Sequence, residues 1–225
     1  MAAYVVTATG TGIGKTFVTA QLIRHLRAHG RPVDALKPVI SGFDEADAAM
    51  SDTGVLLRAL GRNVDADEIA RVSPWRFRAP LAPNMAAQRE GRTLDVNTMV
   101  AFTRRAAAAC DGVLLIEGVG GIMVPLDDRH TMLDWMGALG APLILVAGSY
   151  LGAISHTLTA VEVLTRHDLK ITALVISETP DSTVTFDDTV ATVKQFSPHI
   201  EVMPLPWCPS VEAPHPTLAA LAGRL

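Results

Sequence analysis

Residues 8–16 read ATGTGIGKT, and the reading of this stretch decides the fold. The apolar run Tyr4, Val5, Val6 stands just before it, and Val18, Leu22 and Leu26 recur at helical spacing just after it. A strand, a glycine-rich loop and a helix in that order can cradle phosphate, and two kinds of loop compete. A dinucleotide loop would read G-x-G-x-x-G, with an acid about 20 residues later. Here Gly10, Gly12 and Gly14 are spaced G-x-G-x-G. Asp34 lies at about that distance, but early in its own apolar run, and the residue nearer the run's end is Lys37. The other loop ends in G-K-[ST], and that tail is complete at Gly14, Lys15 and Thr16. Backbone N–H groups there would wrap the phosphates, Lys15 would reach the β/γ oxygens, and the Thr16 hydroxyl would bind Mg²⁺. Thr9 stands where the first glycine is usual, so the loop is a variant. Strand before and helix after favour this phosphate loop over a merely flexible turn.

Working outward, short apolar runs alternate with helical patterns along the chain. Val5–Ala8, Val33–Val39, Val113–Ile116, Leu143–Ala147 and Ile171–Ile176 read as strands, with a last short one at Val202. Lys15 to His29, Asp52–Leu60, Val96–Ala109 and Ile154 to Arg166 read as helices. Residues 73–83 hold Pro74, Pro80 and Pro83 and read as irregular. The alternation predicts an α/β fold of the P-loop NTPase kind. A mostly parallel sheet of about seven strands would carry helices on both faces. No linker rich in Gly, Ser or Pro divides residues 1–225, so one domain is expected.

Composition narrows the function classes. Apolar residues make up 49% and charged residues 19%, which argues against disorder. A net charge of −4 supplies neither a basic surface for nucleic acid nor a polybasic membrane anchor. No apolar run approaches the ~18 residues of a membrane span, and the apolar start is too short for a signal peptide. Cys110 and Cys208 form no CxxC pair and read as reduced thiols of a cytoplasmic protein.

In a parallel sheet, ligands bind beyond the carboxyl ends of the strands. After the second run comes KPVISG, with Lys37 placed to neutralise an acidic substrate or a transferring phosphoryl group. After Val113–Ile116 come Glu117 and GVGG, an acid at a strand end as in a Walker B arrangement. Asp52 opens a helix and by spacing alone reads as its N-cap. After Leu143–Ala147 comes GSYLGAISH, where Leu151 and Gly152 could offer N–H groups to a carboxylate. His156 reads as an ordinary helical polar residue.

The set GTGIGKT, KPVISG, Ser51–Asp52, EGVGG and LGAISH, in order, resembles the dethiobiotin synthetase family. EGR at Glu90–Arg92 and LPW at Leu205–Trp207 also look like that family, so the resemblance runs from about Val5 to Trp207. It implies a ligase that closes a cyclic urea from 7,8-diaminopelargonate, CO₂ (or bicarbonate) and ATP, with Mg²⁺, as a homodimer. Lys15 and Lys37 would be the catalytic lysines, and Thr16, Asp52 and Glu117 the Mg²⁺ ligands. The nucleotide would lie on Gly12, Ile13, Gly14, Lys15, Thr16, Phe17, Asp52, Glu117, Gly118, Val119 and Gly120. Ser177, Glu178, Leu205, Pro206 and Trp207 would hold its base end. Thr11 and Ser41 would contact the substrate or carbamate, and Leu151 and Gly152 its carboxylate across the dimer interface. The chain departs from the family at Ala8, at Ser177–Glu178 where Asn is frequent, and at Ser155 before His156. Three alternatives follow from the same residues. A partitioning ATPase of the MinD and ParA kind would carry a lysine where Gly10 stands, and a cobyrinate-type amidoligase would need a further glutaminase domain. An NAD-binding oxidoreductase is disfavoured by Lys15 and the loop spacing.

Overall fold

The computed structural model describes residues 2–180, 182–208 and 214–225. In chain order, β1 (Ala2–Ala8) leads through the glycine loop into α1 (Lys15–Ala28), then β2 (Val33–Leu36) and β3 (Val39–Ser41). A 3-10 segment at Glu45–Met50 precedes α2 (Asp52–Leu60), α3 (Ala66–Val72), β4 (Trp75–Phe77) and α4 (Pro83–Arg89). Next come α5 (Val96–Ala109), β5 (Val113–Glu117), α6 (Met132–Leu139), β6 (Leu143–Ala147) and α7 (Ala153–Arg166). The chain closes with β7 (Ile171–Ser177), α8 (Phe186–Phe196), β8 (Val202–Leu205) and α9 (Pro216–Ala222).

Six strands form one parallel sheet in the order β2-β5-β1-β6-β7-β8. The glycine-loop strand β1 is central, with Val5 opposite Ile116 on one side and Leu143 on the other. β5 and β6 are buried along their whole length, which is why their sequences are unbroken apolar runs. Side chains alternate between two cores. Val5, Leu114 and Ile116 join the cluster of Met99, Trp135 and Leu164, whereas Val6, Val113 and Leu115 join that of Leu22, Ile23 and Leu56. Helices therefore cover both faces. The two strands β3 and β4 form a small separate parallel sheet. Among the described residues the main sheet has six strands, close to the seven or so expected.

Three local expectations are corrected. The run Val33–Val39 is two strands, because the chain leaves the main sheet at Lys37–Pro38. Pro38 has no N–H to donate to a ladder. The Lys37 N–H instead bonds the Val72 carbonyl, and the Trp75 N–H bonds the Pro38 carbonyl. Residues 73–83 are not wholly irregular: β4 pairs there, and Pro83 opens α4, where a missing N–H costs nothing. Asp52 is not the cap of α2. Ser51 takes that role, its hydroxyl accepting from the Gly54 N–H at 3.1 Å, and Asp52 is the first helical residue. A buried Thr53–Ser73 hydroxyl pair at 2.7 Å ties the start of α2 to the end of α3.

Candidate active site

The carboxyl ends of β1, β2 and β5 converge on a cleft of about 700 Å³. Gly14 ends the glycine loop with φ 102°, a left-handed conformation that side chains rarely adopt, and this turns Lys15 and Thr16 into the first turn of α1. The Lys15 ammonium donates to the carbonyls of Gly10 (2.9 Å) and Gly120 (2.8 Å), bridging the two glycine-rich loops. The Thr16 hydroxyl donates to Glu117 Oε1 at 2.8 Å.

Lys37 sits where the chain breaks out of the main sheet, 2% exposed, with its ammonium inside the cleft wall. It donates to Glu117 Oε1 at 2.6 Å, meets Asp52 Oδ2 at 2.8 Å and donates to the Gly118 carbonyl at 3.2 Å. A charge this buried needs such partners. Burial alone would pull the Lys37 pKa down, but Glu117 and Asp52 together outweigh it and hold the pKa above the usual lysine value. For Asp52, burial acts to raise the pKa, and the attraction and hydrogen bond of Lys37 more than reverse it, so the carboxyl stays below its ordinary range. Lys15 lacks so close a carboxylate. Burial first and the charge of Lys37 second push its pKa down to about 8.

Thr16, Asp52 and Glu117 form an all-oxygen donor set at the phosphate end of the cleft. Glu117 Oε2 is buried and has no hydrogen-bond partner among the described residues, a costly state that a cation would relieve. Mg²⁺ is bound by one or two carboxylates together with substrate phosphates, so these residues fit it.

A second cavity of about 330 Å³ shares Gly12, Gly14 and Phe17 with the first and is also lined by Ile13, Ser177, Glu178, Leu205 and Trp207. Glu178 Oε2 accepts from the Trp207 N–H at 2.7 Å, which joins the ends of β7 and β8.

Most of the residues read from the sequence are thus brought together. Thr11, Gly12, Gly14, Lys15, Thr16, Phe17, Lys37, Ser41, Asp52, Val119 and Gly120 line the main cleft. Glu117 lies beneath it, held by Thr16 and Lys37, and Gly118 enters through its carbonyl. Pro206 lines neither cavity. Leu151, 73% exposed, and Gly152 stand at the start of α7 and also line neither. His156 is paired rather than idle, its Nδ1 lying 2.9 Å from the Tyr150 hydroxyl. The sequence reading missed the apolar wall of Ile40, Pro80, Leu81, Ala82, Pro83 and Val124. The proline cluster marked that segment, but nothing local says which cavity it faces.

A family model described as an AAA domain matches residues 2–215. A curated relative from Caulobacter sp. (strain K31), named ATP-dependent dethiobiotin synthetase BioD, is 50% identical over 95% of this chain and 90% of its own length. One of the same name from Acidiphilium cryptum (strain JF-5) is 51% identical over 79% of this chain and 80% of its own. The chain belongs to the ATP-dependent dethiobiotin synthetase family. Dethiobiotin synthetases are ATP-dependent ligases that form C–N bonds, and membership assigns that class here. Among solved structures, a ParA family ATPase from Chlorobium tepidum TLS superposes with TM-score 0.59 at 14% identity, covering 100% of this chain and 99% of that one. MinD from Aquifex aeolicus gives 0.55 at 14%, covering 100% and 96%. These likenesses are of fold alone. Among the described residues no helix is long and apolar enough to cross a membrane.

Proposed function

We propose that this chain, acting as one domain, uses ATP to close the cyclic urea of dethiobiotin from 7,8-diaminopelargonate and CO₂. The observation that carries the reading is the meeting of Lys15, Thr16, Lys37, Asp52 and Glu117 around one phosphate loop. One amine takes up CO₂, forming a C–N bond and losing a proton to leave a carbamate. A carbamate oxygen then attacks the γ-phosphorus of ATP, and ADP departs. The second amine attacks the carbamoyl carbon of the resulting mixed anhydride. The C–O bond to phosphate breaks, phosphate leaves, and the amine gives its proton to solvent.

No step needs a side-chain nucleophile. What the chemistry needs is positioned positive charge where negative charge builds up on the transferring oxygens. Lys37 is placed for the carbamate and the γ-phosphoryl group, and Lys15 for the β/γ oxygens. Mg²⁺ held by Thr16, Asp52 and Glu117 would screen the phosphate charge. Thr11 and Ser41 face the same cleft, and Ser41 Oγ is buried with no partner among the described residues, so it is available to the substrate. The wall of Ile40, Pro80, Leu81 and Val124 suits a methylene chain.

In the same reading the chain works as a cytoplasmic homodimer, with no nucleic-acid or membrane partner. The exposed Leu151 and the α7 N-terminus at Gly152 of one copy would then meet the substrate carboxylate held by the other.

The test is ADP release from Mg²⁺-ATP and bicarbonate with and without the diamine, with mass detection of the product. Diamine-dependent turnover with the mass of the cyclic urea is expected. Turnover indifferent to the diamine would overturn the reading.

A further inference from the structure

A further cavity, of about 480 Å³, opens where β4 meets the turn at Glu90–Arg92, and it shares no lining residue with the cleft or the second cavity. Arg76, Arg78 and Arg92 line it against two carboxylates, Glu45 and Glu90. Its wall is therefore net positive in a chain whose net charge is −4. Nothing in the ligase reading uses these residues.

Two of the guanidiniums are fixed before any ligand arrives. Arg92 lies over the ring of Phe77 at 4.7 Å and Arg76 over that of Phe43 at 5.7 Å, and both rings are buried. Hydrogen bonds hold the stacked planes in place. Arg76 donates to the Ser73 carbonyl at 2.7 Å, and Arg92 donates to the Arg76 carbonyl at 2.7 Å and to Glu90 Oε2 at 3.0 Å. Glu90 is spent in this scaffold, because its Oε1 accepts from the Arg78 backbone N–H at 2.7 Å. The Arg78 guanidinium is left over. Arg78 is exposed, and its side chain makes no hydrogen bond or ion pair with the described residues. Glu45, in the first turn of the 3-10 segment, is exposed at the rim.

We infer that this cavity binds a phosphate group, carried by free phosphate or by a small phosphate monoester, with Arg78 as its main donor. The inference is independent of the ring closure proposed above. Each guanidinium carries five N–H donors, and the contacts just given engage two in Arg92, one in Arg76 and none in Arg78. A phosphate group offers three strong acceptor oxygens, one for each guanidinium, whereas a simple carboxylate offers two. Glu45 limits the charge that fits: it would repel a polyphosphate, so a single phosphate group suits the site. Pro74 and the two rings give the organic part of an ester an apolar surface.

The experiment is titration calorimetry of the full chain with inorganic phosphate and with glycerol 3-phosphate, Mg²⁺-ADP being present to fill the phosphate loop. Saturable binding is expected, and the tighter of the two ligands tells ester from free anion. Acetate should bind about tenfold more weakly, as for the loss of a hydrogen bond between charged groups. Arg78→Ala should weaken phosphate binding by about tenfold or more. Arg78→Lys keeps the charge and loses the planar fork, so it should recover only part of the binding, and it decides the matter if the alanine variant fails to fold. No saturable binding of either phosphate ligand, acetate binding as tight as phosphate, or binding undiminished in Arg78→Ala overturns the assignment. Binding is read without the diamine, so its failure leaves the ring-closure reading standing, and failure of ring closure leaves this measurement standing.

Discussion

The two ends of the proposed nucleotide site are built on opposite principles. At the phosphate end, Lys37 and Glu117 are buried charges at the margin of the main sheet, joined at 2.6 Å, with Asp52 closing the group. At the proposed base end, Ser177 closes β7, and Glu178 and Trp207 lie just beyond β7 and β8, partly open to water. Buried charge tolerates little change, because removing one partner leaves another uncompensated in a low-dielectric interior. A half-exposed carboxylate can lose its partner to water at small cost.

The sharpest break of the comparison is Lys37→Ala. It should lower kcat by about 100-fold or more, the scale of losing a donor to a developing oxyanion. It should also destabilise the fold by about 3 kcal/mol, since Glu117 and Asp52 lose their counter-ion. Single-turnover kinetics and denaturant unfolding would separate the two effects, and unaffected turnover would remove Lys37 from the chemistry. Glu117→Gln comes next. Mg²⁺ dependence of turnover should shift to at least tenfold higher concentration, and direct Mn²⁺ titration should show the same weakening. An unchanged metal requirement would mean that Glu117 serves only as the anchor of Lys37.

A pH effect of middle size follows from Lys15, whose pKa of about 8 lies well below that of an ordinary lysine. Phosphate favours the protonated form, so the complex holds more protons than the free chain above pH 8. ATP affinity should therefore be level below pH 8 and fall above it, by up to tenfold per pH unit. Calorimetry in buffers of different ionisation enthalpy should show proton uptake on binding at pH 8.5 and little at pH 7. Equal uptake at both would place the titrating group elsewhere. The smallest effect belongs to the lip of the base pocket. Trp207→Ala should raise the KM for ATP by about fivefold, the low end of base–aromatic stacking, with kcat nearly retained. A large fall in kcat instead would show that the two ends of the site are coupled.

The site was legible in unequal parts. Lys15 and Thr16 could be read directly, because loop and helix are contiguous and the chemistry needs them at that spacing. Lys37 and Glu117 were legible as polar residues closing apolar runs. Asp52 was misread as a cap, because Ser51 beside it is an equally good one and only the approach of Lys37 distinguishes their roles. The split of Val33–Val39 was missed because Pro38 is tolerated at a strand margin, so its effect depends on where the ladder partner ends. The Glu178–Trp207 contact spans 29 residues, and no local pattern encodes it.

By itself the sequence determined the parallel α/β order, the phosphate loop and the pair of lysines with their acids. These rest on periodicity and short spacing, which are properties of neighbouring residues. Only the tertiary structure decided that Lys37 is shared by Glu117 and Asp52, that the proline segment walls the cleft, and that Glu178 and Trp207 meet at a second cavity beside the loop. Those contacts arise where separate strand ends and helix starts are brought to one edge of the sheet. Burial there sets the energy of each charge through partners far away in the chain.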